Sequence, residues 1–371
     1  EVFFDCTGLD SVTLPATVTS VGANAFSGCS SLSAITLPDA LEEIGTSAFA
    51  RCTSLSISSL PASVATLGER AFSDCSAIKS FTVSDNVSGI GEGVFSGCSS
   101  MEELKLPYVG ASLGDTSGIG YLFGSQYTGM SGSVPSSLKK ITVTSGNIYN
   151  GIMSGAAGVE EITFLDAVAK IGDRAFSGCS SLKSLNYEGS PTSIGSYAFS
   201  GCGFEDFVVP GTVTSIGSGA FSGCNGLREL TLPFLGANAY GDGKISYTFA
   251  SENGSCVIPS SLRKITVNGG NVGSNAFYGC SALEEAVLSG NISYLGAAAF
   301  KDCAALKYAS LPKTMTAIGD SAFENCYNLS SADLPASLQS IGSSAFARCY
   351  SLKSVTLPSR LTAIGSGAFE D

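Results

Sequence analysis

The chain has 371 residues, with 45 Gly, 21 Phe and 13 Cys but no His and no Trp, a charged share of 13% and a net charge of -12. Without imidazole there is no Ser-His-Asp or Cys-His catalysis and no histidine metal site, and no cofactor is expected. With 19 Lys and Arg against 31 acidic residues the chain offers no basic face for nucleic acid, and no apolar run approaches the ~20 residues of a membrane span.

Residues 1–106 repeat every 23 residues. Phe3, Phe26, Phe49, Phe72 and Phe95 each stand three positions before a cysteine: Cys6, Cys29, Cys52, Cys75 and Cys98. One unit reads Leu32-Ser-Ala-Ile35-Thr-Leu37-Pro38, a linker, then Ile44-Gly45-Thr-Ser-Ala48-Phe49-Ala-Arg-Cys52. The first part predicts a short strand, with branched aliphatics inward and the residues between them outward. The Pro that follows lacks an N–H and stops the ladder. The Gly four residues before Phe predicts either a positive φ or a close approach of the next coil. Ser58 stands where a core aliphatic is expected. No isolated 23-mer can bury its Leu, Ile and Phe, but stacked neighbours can bury them for each other.

Residues 107–165 depart from this beat in enlarged units, and residues 166–232 return to it with Phe176, Phe199 and Phe221. In this stretch Tyr187-Glu188 replaces Leu-Pro, and the unit after Cys202 is one residue short. Residues 233–272 are enlarged again and copy the first enlargement. Leu106-Pro-Tyr-Val-Gly-Ala matches Leu232-Pro-Phe-Leu-Gly-Ala, and Val134-Pro-Ser-Ser-Leu-Lys-Lys-Ile-Thr-Val143 matches Ile258-Pro-Ser-Ser-Leu-Arg-Lys-Ile-Thr-Val267. Residues 273–371 are regular, with Phe277, Phe300, Phe323, Phe346 and Phe369. From Phe3 to Phe369 there are sixteen slots, fifteen filled by Phe and one by Met153.

The recurring L-x-x-I-x-L-P…I-G-x-x-A-F-x-x-C pattern resembles the BspA-like leucine-rich repeats, also called the Treponema-type or LRR_5 family, over the whole chain. The resemblance implies an α/β-type repeat solenoid: a right-handed superhelix with a parallel β-sheet on its concave face, here about sixteen coils in one domain, residues 1–371. It also implies a bacterial protein, secreted or displayed at the cell surface. The chain starts and stops inside a repeat, and solenoids need polar caps. Caps, signal peptide and anchor are therefore expected in a longer protein.

Twelve of the thirteen cysteines belong to one repeat slot, which predicts a ladder of buried, reduced thiols rather than a disulfide framework. Cys256, in an inserted loop, has no counterpart in the first copy and reads as an exposed free thiol. The strand residues that point outward carry charge in pairs: Glu102-Glu103, Lys139-Lys140, Glu160-Glu161, Lys183, Glu205-Asp206, Arg228-Glu229, Arg263-Lys264, Glu284-Glu285 and Lys307. With strands in register, each acidic pair is expected to face a basic one, as a self-paired ladder or as a stripe that reads a ligand. Intervening cations lower carboxylate pKa values, which disfavours a glycosidase. The inserted loops add Tyr108, Tyr127, Phe234 and Tyr240 as candidate contacts, against the alternative that each packs beneath its own loop. Gly118-Ile-Gly120 neither follows a clear strand nor opens a helical pattern, so a dinucleotide site is not expected. The expected function is recognition of a host or microbial surface protein or glycan in adhesion. The alternative is a passive stalk, and an enzyme is not expected.

Overall fold

The computed structural model of the protein describes residues 1–124, 134–241 and 243–371. Two compact units, Glu1–Gly189 and Ser190–Asp371, make up the chain. Each is a stack of the same coil, and the coils are joined by short parallel strands rather than by helices.

In the first unit the Leu-x-x-Ile-x-Leu segments pair Ser11–Thr13 with Ala34–Thr36, and then Ser80–Thr82, Glu103–Leu106, Lys140–Val143, Glu161–Ala167 and Ser184–Glu188 in a five-stranded sheet. The break between them falls at Ser58. A serine there cannot fill the inward position, so no strand forms and only an isolated bridge, Ser59 to Thr82, spans the gap. In the second unit the same segments form one six-stranded sheet, from Asp206–Val208 through Glu229–Leu232, Lys264–Val267, Glu285–Leu288 and Tyr308–Ser310 to Ser331–Ala332. Pairing is parallel and in register, as at Leu230, Ile265 and Ala286, so identical positions lie one above another. The strand-stopping role of proline shows in its absence. Glu161–Ala167 and Ser184–Glu188, the longest strands, have no Pro after them.

A second ladder runs through the residues before the repeat glycine, such as Ser20–Val21, Glu43–Ile44, Thr66–Leu67 and Gly89–Ile90. The structure decides between the two readings of that glycine in favour of close approach. A Cβ on Gly68 would stand 2.3 Å from the Thr46 nitrogen and 2.4 Å from the Gly45 carbonyl carbon. Positive φ falls instead two residues before the slot Phe, at Asn24, Ser47 and Arg70, and again two residues after it, at Gly28, Arg51 and Asp74.

The core is built from columns. Phe26, Phe49 and Phe72 stack with centroids 5.3 Å apart, and Phe277, Phe300, Phe323, Phe346 and Phe369 repeat the arrangement at 4.7–5.3 Å. These slot rings are almost fully buried up to Phe346, which makes each worth about 1.5–3 kcal/mol in burial alone. Phe204 and Phe207 join Phe199 and Phe221 in a cluster of four rings, where the short unit after Cys202 brings extra aromatics inward.

The two enlarged coils keep the slot. Phe123 and Phe249 are buried, and each follows one helical turn, Ile119–Leu122 or Ile245–Thr248. The first of these corrects the reading of Gly118-Ile-Gly120: the segment does open a helical turn, though only a four-residue one. The copies are held by matching bonds. Gly93 N–H donates to the Tyr121 carbonyl at 2.8 Å, and Gly219 N–H to that of Tyr247 at 2.9 Å. The Ser137 hydroxyl donates to the Met101 carbonyl at 2.8 Å, and that of Ser261 to Leu227 at 2.7 Å.

Candidate functional site

The charged pairs lie on the outward face of the two long sheets, and the enlarged coils supply strands of those same sheets. The inward residues of each strand fix the face. With Leu104, Ile141 and Ile162 buried in the first unit, the residues on either side of each must point out. Register then places Glu103 opposite Lys140, and Lys140 opposite Glu161.

The ladder is self-paired in one direction. Lys140 Nζ lies 3.3 Å from Glu161, and Lys139 Nζ 3.7 Å from Glu160, whose other oxygen accepts Lys183 at 2.7 Å. The second unit repeats the triad: Arg263 lies 3.5 Å from Glu284, which accepts Lys307 at 2.6 Å, while Lys264 lies 3.2 Å from Glu285. Glu102 and Glu103, on the preceding rung, make no ion pair among the described residues. Lys139 also donates to the Gly158 carbonyl of the following turn at 3.2 Å, and Arg263 donates to the Ser260 and Ala282 carbonyls at 2.6 and 3.3 Å.

One pairing departs from this locally: Asp206 faces Glu229 in register, acid opposite acid, while the neighbouring Glu205 lies 3.7 Å from Arg228.

The triads set the proton affinity of their centres. Hydrogen bonds from Lys183 and Lys307, followed by the charges of those lysines, hold the Glu160 and Glu284 carboxyls below the usual carboxylate range. A general acid needs the opposite shift.

Of the loop residues expected at a contact surface, Tyr108 and Phe234 are buried, 5% and 3% exposed. Each follows Leu-Pro at the entrance to an enlarged coil and fills the added volume beneath it. They therefore anchor the loops and do not reach a partner. Burial pushes the Tyr108 hydroxyl up to about 12, and that hydroxyl has no hydrogen-bond partner. Tyr127 lies outside the described residues. Tyr240 is 94% exposed at the tip of its loop, and Leu113, one residue before the matching position, is 61% exposed.

The tips are built differently on one frame. In the first copy the Asp115 carboxylate accepts the Ala111 N–H at 2.8 Å and the Ser117 hydroxyl. Burial raises this carboxyl, but hydrogen bonds from Ser117 and from the Ala111, Thr116 and Ser117 N–H groups outweigh it and leave it below its ordinary value. In the second copy glycine stands at 241, and the Asn238 side chain takes over by accepting the Tyr240 N–H at 2.9 Å. Sequence matching found the copies but not the exposed Leu113, whose counterpart is the small Ala239.

The thiols are structural. Cys52, Cys75 and Cys326 each donate from Sγ to the Phe carbonyl of the coil before, at 3.1 Å. Cys179 does the same to Met153, which confirms methionine in the slot. Burial pushes Cys52, Cys98, Cys179, Cys224 and Cys349 up to about 12. Cys6 departs from the expected ladder and is exposed, as is Cys256. Among the described residues, no group of three or more His, Cys, Asp or Glu is placed to hold a metal ion, and no helix is long and apolar enough to cross a membrane.

Stacked parallel strands with this coil define a leucine-rich-repeat solenoid. The BspA type leucine rich repeat region matches residues 1–117, 146–269 and 270–371, in six copies, and the chain belongs to that family. Among solved structures it is similar to a leucine-rich repeat protein from Bacteroides ovatus, at 27% identity over 96% of this chain and 81% of that one, with a TM-score of 0.45. It is also similar to a leucine rich cell surface protein from Faecalibacterium prausnitzii, at 22% identity over 96% and 88%, TM-score 0.32. A third is the pneumococcal vaccine antigen PcpA, at 18% identity over 96% and 75%, TM-score 0.25. A comparison with curated proteins returned no match.

Proposed function

We propose that this chain is an extracellular recognition module that binds a protein or glycan on another cell or on host matrix, using the strand face and the tips of the enlarged coils. One observation carries the reading. The two enlarged coils keep the same buried anchors, helical turn and hydrogen bonds, while their tips diverge and expose Leu113 in one and Tyr240 in the other. A frame held constant under a changed, exposed apolar tip is what a contact surface requires, and per-repeat insertions commonly line binding faces.

Replacing Tyr240 and Leu113 by Ser and reversing Lys139-Lys140 and Arg263-Lys264 to Glu tests this, with binding to matrix proteins, cells and a glycan array as the readout. Loss of binding on changing tips or face supports the reading. Binding that survives every one of these changes makes this region a spacer. The paired part of the ladder supports that second reading, because charges already matched within the sheet ask nothing of a partner. Catalysis has no support in the triads, whose carboxyls are held ionised.

A further inference from the structure

The strands Asp206–Val208 and Glu229–Leu232 break the pattern of the outward face twice. The first break is in polarity. Register aligns Val208 with Thr231 and Thr231 with Thr266, as it aligns Thr142 with Thr163 in the first unit. Val208 is therefore an apolar side chain in a largely threonine row, and it is 66% exposed. The other valine of that row, Val287, is half-buried. The second break is in charge. Asp206 and Glu229 face each other, both exposed, and neither makes an ion pair among the described residues. Lys264, which register also sets opposite Glu229, pairs with Glu285 instead. Like charges directly opposite each other destabilise a sheet.

The two breaks meet in one cavity of about 370 Å³ on the outward face. Asp206, Glu229 and the Glu205–Arg228 pair line its charged part, and Phe207, Val208 and Thr231 continue it along the strands. Neighbouring strands stand about 4.8 Å apart, so one ammonium with three donors can reach both free carboxylates. Outward residues two apart on a strand are separated by about 6.6 Å, a distance that a lysine stem spans while its methylenes lie on apolar surface. Two local rules broken at one place mark a functional site. Glu103, on an earlier rung, offers no equivalent: the same row beside it holds Lys105, which repels an incoming cation.

We propose that this cavity takes the lysine side chain of an extended segment of a partner protein, with its ammonium between Asp206 and Glu229 and its stem on Val208. The site rests on the strand face being a contact surface, and it narrows the partner to a protein that presents a lysine there. The ladder supplies a cation to its acids in the triads; here the partner supplies it.

The test titrates the whole chain against a fluorescein-labelled pentapeptide with a central Lys between two Val residues, followed by fluorescence anisotropy at low salt. Acetylating the lysine, or combining Asp206→Asn with Glu229→Gln, should weaken binding about tenfold, the worth of two exposed ion pairs. Val208→Thr, which restores the residue of the row, should weaken it about fourfold, the worth of one buried methylene. The thermal midpoint of Asp206→Asn should hold or rise, because the change removes a like-charge contact. A fall in that midpoint, equal binding of the acetylated peptide, undiminished binding by the double variant or displacement of the peptide by calcium would overturn the proposal. Binding to matrix proteins or cells without any to the peptide also overturns the site, and leaves the recognition role standing. Binding to the peptide alone supports the site and removes that role.

Discussion

Replacing Gly68 by Ala should destabilise the first unit, while the same change at Gly89, in the next coil, should not. The added Cβ at Gly68 would stand 2.3 Å from the Thr46 nitrogen, 2.4 Å from the Gly45 carbonyl carbon and 2.8 Å from the Thr46 Cα. All three are backbone atoms of the coil before, so nothing can move aside without parting the coils. Overpacking of this kind costs about 1–3 kcal/mol, and the stiffer unfolded chain of an alanine variant offsets about 0.4–1 kcal/mol. At the middle of these ranges the net loss is about 1.3 kcal/mol, which lowers the thermal midpoint by about 3–5 °C for a unit of this size. At Gly89 the nearest atom is the Thr66 methyl, 3.9 Å away, and no positive φ is required. Only the unfolded-state effect remains there, for a gain of about 0.4–1 kcal/mol. Thermal and urea unfolding of both variants, with the urea slope checked for lost cooperativity, reads the difference. Equal effects at the two sites, or a Gly68→Ala chain as stable as the parent, would refute close approach as the reason for the repeat glycine.

Phe300, fully buried and stacked at 4.7 and 5.3 Å between Phe277 and Phe323, should cost about 3–5 kcal/mol as Ala in the same unfolding assay. Cys326→Ala removes the Sγ donor to the Phe300 carbonyl, which keeps its bond from Cys303 N–H; a loss of about 1 kcal/mol is expected. Acid should weaken the fold through the triads. The folded pKa values of Glu160 and Glu284 lie below the ordinary 4.5, so their contribution is present above that value and disappears as pH falls through the lowered ones. Thermal midpoints followed across this window should lose part of their pH dependence in a Lys183→Met, Lys307→Met variant. A thiol reagent at neutral pH should label Cys6 and Cys256 ahead of the eleven buried cysteines, and all thirteen after unfolding.

Most of the coil was legible because each repeat position has one physical task that only a few residue types perform. Phe fills the stack, Gly admits the neighbouring backbone, and Ser58 marks where the sheet breaks because serine does none of the core's work. The duplicated enlargement was equally visible, since Leu106–Ala111 and Leu232–Ala237 differ only at Tyr108 against Phe234 and Val109 against Leu235. The site was less legible. Exposure at a loop tip depends on which way the turn faces, and Leu113 and Tyr240 stand one position apart in the matched copies with unlike neighbours holding them.

The amino-acid sequence by itself determined the repeat and its slots, because Leu, Ile and Phe at a fixed period are buried only when the units stack on one another, and the resemblance to BspA-like repeats implied the parallel architecture. The tertiary structure decided matters that depend on direction and distance across coils. It paired Lys139 and Arg263 with the later acidic rung and left Glu102 and Glu103 without an ion pair among the described residues. It buried Tyr108 and Phe234 under their loops. Residues far apart along the chain meet only when the coils close over one another, and no local pattern encodes which of two neighbours a flexible side chain will choose.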